Sequence, residues 1–315
     1  MALYLVRRVF FSVIQLLTLA LGVFFLVHFV PGDPVRAILG MTATPAHVEQ
    51  VRAQLGLNRS LMDQLGSFLL NTATGHFGQS LTFATPVGSL IASRLEPSGI
   101  LILYALLVVI VLGVPMAIVA ALRPDGVADN VIRIVATVSF TMPSFWLGLM
   151  LALLFGYRLG LLPVSGYSGG LAGNIRTLTL PAVALGLSLL AVVVRTLRAS
   201  LRKVLTTEYI EAATARGLTM RRILLRHAMR NALMPTVSVL AVNIGWLITG
   251  TVVLEQVFQL PGIGSLLIQA VDRRDYPVVE TVSILAGAVV VVVGLAADLL
   301  QAVVDPRVRL VGHIA

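Results

Sequence analysis

The sequence has no cysteine and little charge. Cysteine is absent from its 315 residues, and Asp, Glu, Lys and Arg together make up 12%. The absence of cysteine excludes disulfides, thiolate chemistry and cysteine metal sites, although it identifies no compartment. Soluble domains carry about 25% charged residues, whereas 57% of this chain is hydrophobic and its mean hydropathy is +0.95. The composition therefore predicts an integral membrane protein.

The motifs of common chemistries are also missing. The single lysine, Lys203, stands between Arg202 and Val204, so the Gly-Lys-Ser/Thr of a phosphate-binding loop is absent. The histidines are scattered without an HExxH pattern, which leaves a zinc protease unsupported. An intramembrane enzyme would need a nucleophile and a base deep in the apolar runs, and no such Ser or His pair is evident. We therefore predict no catalytic, cofactor or metal site in this chain.

Six apolar runs predict six transmembrane helices, since a span takes about 20 residues. The first run is longer than a signal-peptide core of about 7–15 residues and no A-x-A-like site follows, so an uncleaved span is favoured. Pro143 is expected to kink the third helix. The fourth is expected to follow a Gly-rich loop at 158–180 and to extend beyond the membrane. The predicted spans are about 9–30, 99–122, 134–157, 181–194, 236–258 and 282–304.

The segment between the first two spans is too polar to cross a membrane, yet it carries helix signals. Pro31-Gly32-Asp33-Pro34 predicts a turn. We expect a small helical segment on the extracytoplasmic side, and we interpret His28, at the outer end of the preceding span, as a packed or interfacial residue. Three helices are expected to begin at Thr44-Pro45, at Ser60 with Asp63, and at Thr85-Pro86, with Gly56 ending the first and Leu95 the third.

The densest charge lies between the fourth and fifth spans. Residues 195–235 carry nine Arg or Lys against Glu208 and Glu211. Because Lys and Arg concentrate in cytoplasmic loops, this insert and both termini are predicted to be cytoplasmic. The net charge of +9 therefore indicates orientation in a membrane and not nucleic-acid binding. The predicted domains are an N-terminal transmembrane helix (1–30), an extracytoplasmic helical segment (31–98), a five-span core containing the 195–235 loop (99–304) and a cytoplasmic tail (305–315).

The insert has a helix–glycine–helix pattern. Thr207–Arg216 predicts a helix that Gly217 can end in the left-handed conformation, and Thr219–Arg230 predicts an amphipathic helix. An anchor on anionic lipid would explain the arginines, but it would not explain the small, weakly charged Glu211-Ala212-Ala213. This patch favours a docking surface for a cytoplasmic partner. The second helix is predicted to place Met220, Ile223, Leu224, His227 and Ala228 on one face and Arg222, Arg226 and Arg230 on the other.

The sequence of this insert resembles that of a known family. Glu211–Gly217 (EAATARG) followed by His227–Pro235 (HAMRNALMP) is similar to the EAA loop of ABC importer permeases, most closely the dipeptide/oligopeptide/nickel branch. Met234 and Gln259 are small departures from the pattern. Further segments similar to this branch occur in order along the chain: Leu3–Arg8 (LYLVRR), Pro31–Pro34 (PGDP), Gln54–Asn58 (QLGLN), Gly75–Ser80 (GHFGQS), Pro143–Gly148 (PSFWLG), Val257–Gly264 (VFQLPGIG), Arg274–Pro277 (RDYP) and Asp305–Arg307 (DPR).

The resemblance implies an all-α polytopic membrane protein with six transmembrane helices, the type I ABC importer permease fold with one extra N-terminal span. It implies a permease subunit in the cytoplasmic (inner) membrane, which forms a pathway for di- or oligopeptides or similar small solutes with a second homologous permease. Two ATP-binding cassette ATPase subunits would hold ATP and Mg, so that this chain itself has no cofactor. An extracytoplasmic solute-binding protein would deliver the substrate, whose identity the resemblance does not give.

The resemblance also implies roles within the loop. Glu208–Gly217 would be the coupling helix, seated in a groove of an ATPase subunit. The coupling residues would be Tyr209, Glu211, Ala212, Ala213, Arg216, Gly217 and Leu218, and the residues supporting the loop would be His227, Arg230, Asn231 and Pro235.

The predicted spans contain few polar residues. Asn243 and Trp246 lie deep in the fifth span and are candidate pathway residues, although Trp246 is equally a packing residue. Glu255 and Asp298 lie near predicted span ends, where a structural role is favoured over a functional one. The alternative to an importer subunit is an ion-coupled secondary transporter working alone, which the lack of a convincing repeat and the scarcity of buried charge disfavour.

Overall fold

A computed structural model describes residues 2–29, 35, 44–54 and 56–304, and this part of the chain is almost entirely helical. Its one β-bridge joins Gln79 and Pro86. The predicted turn at Pro31–Pro34 and the tail at 305–315 lie outside the described residues. The helices are α1 (Ala2–Phe29), α2 (Pro45–Gln54), α3 (Leu61–Thr74), α4 (Val87–Leu122), α5 (Val127–Thr141), α6 (Ser144–Arg158), α7 (Gly170–Leu205), α8 (Glu208–Ala215), α9 (Met220–Val242), α10 (Ile244–Val257), α11 (Ile263–Asp272) and α12 (Tyr276–Val304).

Four described helices are each long and apolar enough to cross a bilayer, namely α1, α4, α7 and α12. Two bent pairs, α5 with α6 and α9 with α10, pass the same test of length and composition when each pair is taken together. Counting each pair as one span gives six, in the order that the sequence predicts. The fold class is therefore an all-α polytopic membrane protein.

The third predicted span is broken rather than kinked. The axes of α5 and α6 differ by 104°. Met142 and Pro143 have ψ angles of 132° and 135°, outside the helical region. Proline disfavours the helical conformation of the residue before it and has no N–H to donate, which accounts for a complete break at this point.

Three helices run through prolines that lie near predicted helix boundaries. The predicted helix from Thr85 to Leu95 is the first part of α4, which continues through Pro97. The predicted loop at 158–180 is shorter, because α7 starts at Gly170 and contains Pro181. α9 likewise runs through Pro235. In α7 the neighbouring Leu180 and Ala182 are buried, so helix packing outweighs the loss of one backbone hydrogen bond.

The described residues divide into two compact units. The core unit comprises Gly99–Leu260 with the described part of Val293–Ala315, and the N-terminal unit comprises Ala2–Ser98 with Pro261–Val292. In the core unit α7 is the central helix and packs against α5, α6, α9 and α10. Gly186 lets α7 approach α4 closely, since a Cβ there would lie 2.9 Å from the carbonyl oxygen of Ala105.

A buried carboxylate joins two segments of the N-terminal unit. Asp275 precedes α12 and is fully buried. It accepts hydrogen bonds from the Ser80 hydroxyl and from the backbone N–H groups of Leu81 (3.1 Å) and Thr82 (3.0 Å). The loop before α4 is thereby joined to the start of α12. The predicted cap of α3 is confirmed, because the Ser60 hydroxyl oxygen accepts from the backbone N–H of Asp63.

Candidate functional site

The helix α8 and the turn that follows it form a compact unit, which we call the 207–218 segment. Thr207 stands before the helix, and its carbonyl oxygen accepts from the N–H groups of Ile210 (3.0 Å) and Glu211 (3.2 Å). Gly217 has a φ of +77°, as predicted. The N–H of Gly217 donates to Thr214 and the N–H of Leu218 donates to Ala213. This is the Schellman arrangement, which fixes where the helix ends.

One face of α8 is fixed to the rest of the core unit. Ile210 and Ala213 are buried and pack with Ile223 at the start of α9. Val204 and Leu205, at the end of α7, cover the same cluster together with Leu218. The apolar contacts thus hold α8 between the two long helices on either side of it in sequence.

The predicted coupling residues lie on two different faces. Tyr209, Glu211, Ala212, Arg216 and Gly217 are exposed. Ala213 is buried and Leu218 is half-buried, so these two residues attach α8 to the core unit. The exposed set gives a small outer surface with one carboxylate, one guanidinium and one phenol.

A hydrogen bond joins the 207–218 segment to α9. The Asn231 side-chain amide donates to the Tyr209 hydroxyl at 2.9 Å, so two residues assigned to different roles in the sequence are brought together. The other predicted supporting residues are spread along α9: His227 is half-buried, and Arg230 and Pro235 are exposed. The hydrogen bond adds a polar constraint to the apolar attachment of α8.

The amphipathic helix predicted for Thr219–Arg230 contains a π-helical turn at Leu224–Ala228 that the sequence did not reveal. Ile223, Leu224 and Ala228 are buried as predicted, and the three arginines of the opposite face are exposed. Leu224 and Ala228 pack with Ala117, Ala121, Leu197 and Leu201 of α4 and α7. Met220, predicted on the same face, is 52% exposed because it begins the helix, beyond this packing.

An ion pair beneath the segment was also not predicted. Asp129 of α5 is fully buried and accepts two hydrogen bonds from the Arg198 guanidinium, one of them 2.7 Å from Nε to Oδ1. It also accepts from the backbone N–H of Asp125 at 2.9 Å. Arg198 lies two turns before the end of α7, so this pair fixes the part of α7 that leads into α8. Sequence patterns gave no signal that these two residues, far apart in the chain, would meet.

The candidate pathway residues lie at the break between α9 and α10. The two helices differ in direction by 50° around Asn243. Asn243 is half-buried and its side-chain amide donates to the carbonyl oxygen of Val239 at 2.7 Å, while Trp246 is 62% exposed. Glu255, near the end of α10, is buried. Both candidates thus flank a bend in the predicted fifth span.

Comparison with known proteins agrees with this architecture. A model of the binding-protein-dependent transport system inner membrane component matches residues 113–310. A model of the N-terminal region of such membrane components matches residues 1–93. Between the two matched regions only residues 94–112 are left unmatched.

Curated relatives match over nearly their whole length. The probable peptide ABC transporter permease protein y4tP of Sinorhizobium fredii is 33% identical, with 98% of this chain and 100% of that protein covered. The glutathione transport system permease protein GsiC of Escherichia coli K12 is 34% identical, with 97% and 98% covered.

A solved structure shares the fold. An inward-facing MetNI methionine ABC transporter superposes with a TM-score of 0.57 at 17% identity, with 69% of this chain and 96% of that chain covered. At this identity the likeness shows the fold alone, which is the type I importer permease fold expected from the sequence. With 33–34% identity to permeases over nearly the full length and two family models matched, the chain belongs to the binding-protein-dependent transport system inner membrane components, the permease subunits of ABC importers.

Proposed function

We propose that this chain forms, with a second homologous permease, a pathway for short peptides, driven by ATP hydrolysis in two partner ATPase subunits. The peptide assignment is supported by relatives named as peptide and glutathione permeases. In this proposal the ATPase subunits bind ATP and Mg, and an extracytoplasmic binding protein delivers the peptide. An ion-coupled transporter working alone is not favoured, since the matched family is binding-protein-dependent.

The main support for this proposal is the rigid attachment of the 207–218 segment to the core unit. Its outer face is exposed, while its inner face is attached by apolar packing, by the Schellman turn and by the Tyr209–Asn231 hydrogen bond. A contact with a partner at Glu211 or Ala212 would therefore move α7 and α9 and would not be absorbed by a flexible loop. Rigid attachment is what a joint between an ATPase and a pathway requires.

The charge of α9 supports a cytoplasmic location of the 207–218 segment. Exposed Arg221, Arg222, Arg226 and Arg230 follow the segment on α9. Arginines of this kind favour the cytoplasmic side and interact with anionic lipid headgroups. The ATPase subunits are cytoplasmic in the proposed assembly, so the N-terminus and the tail also lie in the cytoplasm.

The proposal is tested with one substitution on the outer face and one in the turn that attaches the segment. Glu211→Arg reverses an exposed charge, and Gly217→Val places a β-branched residue at a φ of +77°, where glycine is strongly favoured. Both variants are expected to insert in the membrane, to lose the co-purifying ATPase subunits and to lose ATP-driven peptide uptake. Asp272→Arg makes the same charge reversal at an exposed carboxylate of the N-terminal unit and serves as the matched control. Normal uptake and normal ATPase co-purification in Glu211→Arg and Gly217→Val would overturn the proposal.

A further inference from the structure

A cavity of about 430 Å³ lies within the N-terminal unit. Its walls come from the last turns of α1, the turn after α2, α3, the loop after α3 and the first turns of α12. Small-molecule sites occupy about 300–1,000 Å³, so the cavity is large enough for a ligand the size of a dipeptide. By the predicted topology these helix ends are extracytoplasmic, on the side from which a binding protein would deliver substrate.

Two side chains of opposite charge line this cavity. Glu280 is half-buried on the second turn of α12, and Arg59 is exposed at the end of the turn that precedes α3. Within the described residues neither side chain makes an ion pair or a hydrogen bond, with each other or with any other group. A partly desolvated carboxylate without a partner is unfavourable, and a cation that entered the cavity would offset that cost.

Two other polar residues of the wall, His28 and Gln64, are already hydrogen-bonded. His28 contacts the carbonyl oxygen of Phe24 through Nδ1 (2.8 Å) and the side-chain oxygen of Gln64 through Nε2 (3.2 Å). The Gln64 amide nitrogen donates to the carbonyl oxygens of Leu57 (3.3 Å) and Arg59 (3.0 Å). His28, interpreted from the sequence as a packed or interfacial residue, is half-buried and its ring centroid lies 4.0 Å from that of Phe24. These bonds also hold the backbone of Arg59 in place, so the wall is organised before any ligand arrives.

Aromatic rings complete the cavity. Phe24 packs against Phe68 with ring centroids 5.4 Å apart, and Phe77 and Tyr276 also line the space. Aromatic faces attract cations and provide apolar surface for side chains. An acid, a base and a group of aromatic rings around one small space are complementary to a zwitterion with an apolar body.

We propose that this cavity is a subsite for a short peptide with free termini, with Glu280 binding the α-ammonium group and Arg59 binding the α-carboxylate. The inference rests on the proposed function, because it names where the peptide is held on the permease. Recognition of both termini selects short peptides, because both termini must fit within one cavity of about 430 Å³. Longer peptides would place only one terminus in the subsite.

The test measures binding of dialanine to the full chain in lipid nanodiscs. Binding is compared with that of N-acetyl-dialanine and of dialanine amide, each of which lacks one terminal charge. We expect Glu280→Gln to weaken dialanine binding about tenfold or more, as for a lost charged hydrogen bond. The same substitution is expected to leave the already weak binding of N-acetyl-dialanine unchanged. Arg59→Gln is expected to show the reciprocal pattern with dialanine amide.

Matched controls use charged residues of the same unit that do not line the cavity. Asp272→Asn and Arg94→Gln are expected to bind dialanine like the wild type, and a monodisperse elution profile shows that each variant is folded. Equal binding of dialanine and its blocked analogues, or wild-type binding by Glu280→Gln, overturns the subsite. If the subsite is overturned in this way but the assembled importer still takes up peptide with ATP, the proposed function remains supported. Saturable dialanine binding without any ATP-driven uptake would support the subsite and contradict the proposed function.

Discussion

At the scale of single residues, the buried Asp129–Arg198 pair is the most consequential contact in the core unit. The Asp129 carboxylate is fully buried, and its donors are the Arg198 guanidinium and the Asp125 backbone. Buried ion pairs add little net stability compared with apolar residues of the same size, but removal of one partner leaves an uncompensated charge. The pair therefore fixes the position of α7 relative to α5 more than it adds to overall stability.

This gives a first prediction. Asp129→Ala is expected to destabilise the full chain in detergent by about 3–5 kcal/mol, because Arg198 stays behind without its partner. The double variant Asp129→Leu/Arg198→Met is expected to be more stable than the single variant, since it removes both charges. Retention of the monomer peak in size-exclusion chromatography after heating measures the difference. A double variant that melts below Asp129→Ala would contradict this explanation.

At the scale of elements, features set by local sequence were predicted, whereas features set by packing between distant helices were not. The 207–218 segment was predicted correctly in position and in its glycine end, because an αL glycine and its neighbouring hydrogen bonds are local chemistry. The continuation of α4, α7 and α9 through Pro97, Pro181 and Pro235 was not predicted. At these positions the burial of neighbouring apolar residues decides whether the helix continues, and that burial depends on helices distant in sequence. The π-helical turn and the Asp129–Arg198 pair were missed for the same reason.

A second prediction concerns the contact between α4 and α7. Gly186→Ala places a Cβ 2.9 Å from the Ala105 carbonyl oxygen and 3.1 Å from Val108, and the backbone atom cannot move aside. We expect a loss of about 1–3 kcal/mol, as for other overpacked contacts. Gly99→Ala, where nothing lies within 4 Å, is the matched control. It is expected to be neutral or slightly stabilising, because alanine favours helix. Equal thermal stability of the two variants would show that the close approach is not restrictive.

At the scale of the whole molecule, the charge distribution predicts the orientation in the membrane. The 195–235 loop with its nine Arg or Lys is expected on the cytoplasmic side, and the helices of 31–98 on the other. Because the chain has no cysteine, any introduced cysteine is the only thiol. Its reactivity then reports the side of the membrane directly.

A third prediction uses this property. Ala73 of α3 and Ala212 of α8 are both exposed alanines on helices. Ala73→Cys is expected to react with a membrane-impermeant maleimide on intact cells, and Ala212→Cys only in inside-out vesicles. A permeant maleimide, which should label both, controls for reactivity. The opposite pattern of labelling would reverse the orientation and remove α8 from the cytoplasm.

The helix α9 has a mechanical consequence. It runs from Met220, next to the 207–218 segment, through the π-helical turn at Leu224–Ala228 and Pro235 to Val242 at the bend before α10. At 1.5 Å per residue it is a lever arm about 35 Å long, so a tilt of about 10° at one end displaces the other end by about 6 Å. In the proposed assembly, a small rotation imposed by the ATPase subunits is thereby amplified at Asn243. By the reciprocity of coupled equilibria, a peptide that holds the far end in place resists the rotation at the near end.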